Sequence, residues 1–359
     1  MDMTMRWFGT GFDTVSLEQI RQVPGVTGVI STLYDTMPGE EWSQNAIHNL
    51  KTKIEAVGLK LLGIESVNIH DSIKTGAPER EQYIENYIHT LEKLGKEDIH
   101  LVCYNFMPVF DWTRSNLAKI RPDGATVLAY NQREIDRIDT DDIFGSMERQ
   151  AAGHILPGWE PERMAHLQEL FAAYEKIDEK TLFDNLVYFL KCIMPTCEKY
   201  GIYMAIHPDD PAWPVFGLPR IVTDKEQILK LMRAVDTPYN GVTLCTGSLG
   251  SNPENDIVDI IHSLKGRIPF AHVRNLRYNG DRDFEEAAHL SSDGSLDMYA
   301  IMDALYDIGF DGVIRPDHGR AVWGEQSMPG YGLYDRAMGV TYLSGLWEAI
   351  QKERQKKWN

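Results

Sequence analysis

Ile202-Tyr-Met-Ala-Ile-His207, followed at once by Pro208, decides how this chain is to be read. A short apolar, β-branched and aromatic run that ends in a metal-binding side chain, with a turn-former after it, reads as a strand delivering a ligand at its C-terminal end. The pattern returns in Val242-Thr-Leu-Cys245, in Phe270-Ala-His272 and in Val313-Ile-Arg-Pro-Asp317-His318. Strand ends of this kind, repeated along a chain of barrel size, predict an α/β fold: a (β/α)8 TIM barrel with one metal at its mouth.

Working outward, strand-like and helix-like stretches alternate. Arg6-Trp-Phe-Gly9, Gly25–Thr32, Lys60–Ser66 and His100–Phe106 read as strands one to four. A helix follows the first, with Ser16 and Gln19 spaced for a capping box. Ile47, Leu50, Ile54 and Val57 mark one apolar helical face, and Tyr83, Ile84, Tyr87, Ile88, Leu91 and Leu94 mark another. From about Met107 to Asp178 no strand stands out, and Asn131–Gln150 is polar. A gap this long exceeds an ordinary barrel loop, so a helical insertion after strand four is expected, acting as a cap or lid. The rhythm resumes with a helix near Thr181–Tyr200 and the strand ending at His207. Three further pairs and a last helix, about Leu333–Lys352, complete one catalytic domain spanning 1–359. The rival, an open doubly wound sheet binding a dinucleotide, lacks the Gly-x-Gly-x-x-Gly turn; Gly247-Ser-Leu-Gly250 is too little for a phosphate loop.

Composition narrows the function. With 359 residues, 43% hydrophobic and 25% charged, the chain can build a sizeable core. A net charge of −17 argues against nucleic acid and against anionic membrane surfaces as partners. No run nears the roughly 18 apolar residues of a membrane span. The start, Met1-Asp-Met-Thr-Met-Arg-Trp-Phe-Gly9, carries no basic region ahead of an apolar stretch, so no secretory signal is visible. Cys103, Cys192, Cys197 and Cys245 form no close-spaced framework, which predicts a reducing, cytoplasmic setting. Cys192 and Cys197 fall on a helix as packing residues. His70, His154 and His289 have no partner pattern and read as loop or surface histidines.

His207, Cys245, His272 and Asp317 end strands five to eight, which are neighbours in a barrel, so they converge as candidate metal ligands. Two imidazoles, a thiolate and a carboxylate form a borderline-soft set suited to zinc or ferrous iron, with manganese(II) also open. Arg274, Asn275, Arg277, Arg315 and Arg320 surround these positions. Arginine forks suit a carboxylate or phosphate of an anionic, hydroxylated substrate, although the same forks also pair with acidic neighbours. Asp317 and His318 are adjacent and point apart in an extended strand, so both reach the site only if the chain turns there. His318 would then move protons beside the metal. Tyr331, in Pro329-Gly-Tyr-Gly332, reaches the same place or packs the rim. No Gly-x-Ser-x-Gly elbow supports serine hydrolase chemistry.

Met5-Arg-Trp-Phe-Gly9, Ala205-Ile-His-Pro-Asp-Asp-Pro211 with Gly217-Leu-Pro-Arg-Ile221, Leu244-Cys-Thr-Gly247, Ala271-His-Val-Arg-Asn275 and Arg315-Pro-Asp-His-Gly-Arg320 together resemble bacterial mannonate dehydratases from end to end. The resemblance implies a xylose-isomerase-like barrel that needs divalent metal, Mn2+ or Fe2+. It implies conversion of D-mannonate to 2-keto-3-deoxy-D-gluconate and water, a step of glucuronate catabolism. It also implies metal ligands at His207, Cys245, His272 and Asp317, with His318 and Tyr331 handling protons. Tyr331 is expected as base, its phenol acidified by metal and arginine, and His318 as acid, with the reverse order open. A homo-oligomer, dimer or tetramer, is expected. The competing readings are a metal-dependent sugar isomerase on the same barrel, an endonuclease that −17 disfavours, and a non-catalytic sugar-acid-binding protein.

Overall fold

The computed structural model describes residues 1–138 and 167–356. Its strands, in chain order, are β1 (Asp2–Arg6), β2 (Gly28–Ser31), β3 (Lys60–Glu65), β4 (Leu101–Tyr104), β5 (Asn116–Ile120), β6 (Thr126–Asn131), β7 (Tyr203–Ile206), β8 (Asn240–Cys245), β9 (Phe270–His272), β10 (Asn275–Gly280), β11 (Asp283–Ala287) and β12 (Val313–Arg315). Eight of them, in the order β1-β12-β9-β8-β7-β4-β3-β2, close into an all-parallel barrel. Closure runs through Asp2↔Val313 and Met3↔Ile314. The eight expected barrel strands are all present, with shifts at the ends. Strand one is Asp2–Arg6 rather than Arg6–Gly9, and strand eight stops at Arg315, before Asp317. Barrel strands are covered on both faces and so lose the alternation that would mark their limits.

Amphipathic helices cover the outside. Ile47, Leu50 and Ile54 bury one face of Gln44–Ala56, and Ile84, Tyr87, Leu91 and Leu94 bury one face of Arg80–Lys96. Their starts are chemically fixed. Ser16 and Gln19 form the expected capping box, and Asp224, Asp256 and Asp297 each accept from a backbone N–H in the first turn. Cys192 and Cys197 lie on Glu179–Tyr200, Cys197 fully buried, and all four cysteines are free thiols. Among the described residues no helix is long and apolar enough to cross a membrane.

The region after β4 departs from the expectation of a purely helical insertion. Helix is present at Gln132–Ile135 and Leu167–Tyr174, but β5 and β6 precede it. They join β10 and β11 in a four-stranded antiparallel sheet, order β10-β11-β6-β5. Asp283 pairs with Asn131 and Glu285 with Ala129, so distant parts of the sequence build this sheet and no local pattern announces it. Tyr130 stacks on Phe284 at 5.5 Å, and with Trp213 and Leu276 they form a separate small core. Single bridges at Trp112↔Asp210 and Thr126↔Ala321 tie this sheet to the C-terminal end of the barrel. His154, Leu156–Trp159 and most of the polar stretch 131–150 lie outside the described residues.

Candidate active site

His207 directly follows β7, Cys245 ends β8, His272 ends β9, and Asp317 lies two residues beyond β12. These strands are neighbours in the barrel, so the four side chains meet. Donor atoms of His207, Cys245 and His272 all lie within 4.8 Å of one another. Asp317 is next to them, with Oδ1 3.6 Å from His272 Nδ1 and Oδ2 3.7 Å from Cys245 Sγ. Ligands held roughly 2.0–2.3 Å from one tetrahedral ion are themselves about 3.3–3.8 Å apart, so these separations fit a shared cation. Cys245 and His272 are fully buried and Asp317 nearly so. A second cluster, Glu65, Cys103 and His272, is as tight. It is a poorer cation site, because Glu65 already faces Arg6 and Arg315, and burial holds the Cys103 thiol well above its usual range.

The charge state of the first cluster suits a metal. Burial alone would raise the Cys245 thiol, but Arg274 and His207 outweigh it and bring the group down to about 5. Burial alone would likewise lower His207, yet the Cys245 sulfur raises it to about 9. The pair is a thiolate beside an imidazolium. His207 Nδ1 lies 2.7 Å from the Pro208 carbonyl, which can only accept, so Nδ1 keeps its proton and Nε2 is the nitrogen that can ligate once its own proton has left. His272 turns Nδ1 to Asp317 at 3.6 Å and Nε2 to Glu65 Oε2 at 3.4 Å.

A cavity of about 340 Å³ opens beside this cluster, lined by His207, Asp317, His318, Tyr331, Arg315, Arg6 and Glu65 among others. That volume is enough for a six-carbon acid. His318 sits in a hydrogen-bonded chain, with Nδ1 3.3 Å from Glu286 Oε1 and Nε2 3.0 Å from the Tyr331 hydroxyl. Burial opposes ionisation of Glu286, but Arg274, the hydrogen bond from His318 and Arg114 hold it down to about 2. An ionised carboxylate only accepts, so Nδ1 is the protonated nitrogen and Nε2 accepts from the phenol. Burial pushes the Tyr331 phenol well above the ordinary value, and Arg315 and Arg6 only partly offset this.

The four expected substrate contacts separate. Arg315 lines the cavity, its Nη2 on Glu65 at 2.9 Å and Asp317 at 2.8 Å, while Nε and Nη1 are buried without hydrogen-bond partners among the described residues. Arg274 does not line it. Every nitrogen of this buried guanidinium faces a carboxylate: Nε on Asp317 at 2.7 Å, Nη1 on Glu286 at 2.6 Å and Nη2 on Asp210 at 2.8 Å. Asn275 is spent on backbone groups of Leu276, Leu290 and Leu296. Arg320 pairs with Asp335 and Asp123, and Arg277 with Asp293. His289 is 3% exposed rather than a surface residue, and His70 caps Asp71–Thr75 while stacking on Tyr83.

Sequence reading passed over Arg6 and Glu65, which end β1 and β3 and line the cavity. The strand-end rule that found His272 would have found both. It also passed over Arg114, Asp210 and Glu286, buried charges held by one another. No sequence signal separates such residues from surface ones.

Comparison with known proteins agrees with this geometry. The family model for D-mannonate dehydratase (UxuA) matches residues 1–357. A mannonate dehydratase of Brachyspira hyodysenteriae is 66% identical over 352 residues, covering 98% of this chain and 99% of that one. One from Geobacillus thermodenitrificans is 53% identical, covering 99% and 97%. The crystal structure of mannonate dehydratase from Streptococcus suis serotype 2 superposes with a TM-score of 0.89 at 41% identity, covering 99% of this chain and 96% of that one. A D-tagatose 3-epimerase-like protein, at 14% identity and TM-score 0.57, shares the fold alone.

Proposed function

The chain belongs to the D-mannonate dehydratase family, and from that premise we propose that it removes water from D-mannonate to give 2-keto-3-deoxy-D-gluconate, with His318 as base and Tyr331 as acid. The observation that carries this reading is the Glu286–His318–Tyr331 chain, which opens into the same cavity as His207 and Asp317. The reaction breaks C2–H and C3–OH, and the product enol then relaxes to the ketone. A hydrogen beside an ionised carboxylate is very weakly acidic, so charge stabilisation is the main requirement. A divalent ion, manganese or ferrous iron, would be held by His207, Cys245, His272 and Asp317, and would supply Lewis acidity against the charge that develops beside the substrate carboxylate.

The protein's own groups do the rest. Arg315 has two buried guanidinium nitrogens, Nε and Nη1, without partners among the described residues and offers their N–H groups to the substrate carboxylate. Glu286 keeps the proton of His318 on Nδ1, which leaves Nε2 basic. When substrate enters, the phenol proton of Tyr331 turns from Nε2 to the 3-hydroxyl, and the imidazole is free to take the C2 proton. A phenol held above its ordinary range keeps its proton at neutral pH, which suits a donor and not a base. The 3.0 Å contact between the two then returns the proton from imidazolium to phenolate. We further propose that the segment after β4, to about residue 178, covers the mouth and excludes water.

Incubation with D-mannonate and Mn2+ in D2O tests this reading. Tyr331→Phe should still exchange deuterium into C2 while making little keto acid, and His318→Asn should do neither. The opposite pattern would restore Tyr331 as base. The isomerase alternative rests on a fold shared at 14% identity or less. A non-catalytic binder has no use for an oriented His–Tyr pair.

A further inference from the structure

Asp317 and His318 are adjacent, yet one faces the metal cluster and the other the proton-transfer chain. What allows this is the backbone of Asp317, at φ +58°, a left-handed conformation that non-glycine residues avoid. Its side chain is held by Arg315 and Arg274. The peptide just before it is held separately. The Pro316 carbonyl oxygen lies 2.6 Å from His289 Nε2, and since a carbonyl only accepts, Nε2 is the donor.

His289 is buried and lies three residues after Glu286, on the chain leaving β11. Burial lowers the affinity of its ring for a second proton, so the imidazole stays neutral, and Nδ1 has no hydrogen-bond partner among the described residues. The ring is seated against the C-terminal helix Leu333–Lys356. A Cβ on Gly339 there would come within 2.6 Å of ring atoms Cε1 and Nδ1. The run from Glu286 to His289 therefore grips the 316–318 turn twice, once at the His318 ring and once at the Pro316 carbonyl.

We propose that His289 is a positioning residue for the dehydration, setting the Pro316–Asp317 peptide and through it both the Asp317 carboxylate and the direction of His318. The inference rests on the roles assigned above to Asp317 and His318. The test uses His289→Phe, His289→Gln and Gly339→Ala. Each is assayed for Mn2+ affinity by competition with a fluorescent chelator, for kcat and KM on D-mannonate, and for melting by circular dichroism.

His289→Phe should bind Mn2+ 10- to 100-fold more weakly, the range found when a partner of a ligand is removed. Its kcat should fall at least tenfold, with KM within about threefold. His289→Gln, whose amide can donate to the same carbonyl, should regain most of both. Gly339→Ala leaves every site residue in place but displaces the ring, and should shift both quantities in the same direction as His289→Phe. A folded His289→Phe with wild-type Mn2+ affinity and kcat would overturn the proposal. If that variant does not fold, wild-type values in Gly339→Ala would do so instead. A lowered melting temperature with unchanged affinity would mean that His289 is only structural. His318→Asn serves as the control: inactive beside unaffected His289 variants, it sinks this inference alone, whereas a wild-type protein that leaves D-mannonate untouched sinks the reading beneath it.

Discussion

Metal binding should release a proton, and the amount should follow from the His207–Cys245 pair. In the metal-free protein Cys245 sits at about 5 and His207 at about 9, so at pH 7 the sulfur is ionised and the imidazole is charged. The metal needs the thiolate, which is ready, and the Nε2 lone pair, which is not. Stripping that proton two pH units below the His207 value costs about 2.7 kcal/mol at ~1.36 kcal/mol per unit. This is an upper figure, because water reaches the half-buried ring. Apparent affinity should therefore rise about tenfold per pH unit from roughly 5 to 9 and level off above. Below 5 the slope should double as the thiol also takes up a proton. In the metal-free protein the raised His207 value also stabilises the fold below about 6.5, a contribution lost as pH climbs through 9. Calorimetric titration with Mn2+ in buffers of different ionisation enthalpy should count about one proton per ion at pH 7. In Cys245→Ser the charge that raises His207 is gone, so release should fall well below one proton and affinity by an order of magnitude or more. Near-zero release in the wild type, with affinity flat between pH 5.5 and 8.5, would refute the ion-pair assignment.

Glu286→Gln should lower kcat by on the order of 10²-fold through the lost orientation of His318. It should also cost about 3 kcal/mol of stability by leaving Arg114 and Arg274 short of a partner, readable in a denaturant melt. Gly247→Ala puts a Cβ 2.3 Å from Arg274 Cζ, so it should destabilise by about 1–3 kcal/mol and weaken Mn2+ binding as the guanidinium leaves Asp317.

The barrel was legible because its strands are short apolar runs and the candidate ligands stand at their ends. His207, Cys245, His272 and Asp317 could be named from that rule, and His318 from its place beside Asp317. The accessory sheet was not legible. β11 reads Asp283-Phe-Glu-Glu-Ala287, with no alternation, since Glu285 and Glu286 are both buried against arginines. Strand propensity carries little information where burial is bought with ion pairs. The protein carboxylates around Arg274 were not legible for a related reason. A guanidinium fork fits a substrate carboxylate and a protein carboxylate equally well, and only the positions of Asp210, Glu286 and Asp317 decide between them.

The buried quartet of Arg114, Asp210, Arg274 and Glu286 has a consequence for how this protein can be altered. Asp210 and Arg274 follow barrel strands, whereas Arg114 and Glu286 come from the accessory region, so each side brings one acid and one base, and the Arg114–Asp210 and Arg274–Glu286 pairs cross the seam. Taking away any one member strands a charge away from water, which is far more damaging than losing all four to well-packed apolar residues. Single substitutions at these positions should be poorly tolerated, and the quartet should change as a block or stay. For an engineer grafting the accessory sheet onto a related barrel, the practical unit is therefore not a loop with clean ends. It is the sheet together with residues 210 and 274 of the barrel that receives it.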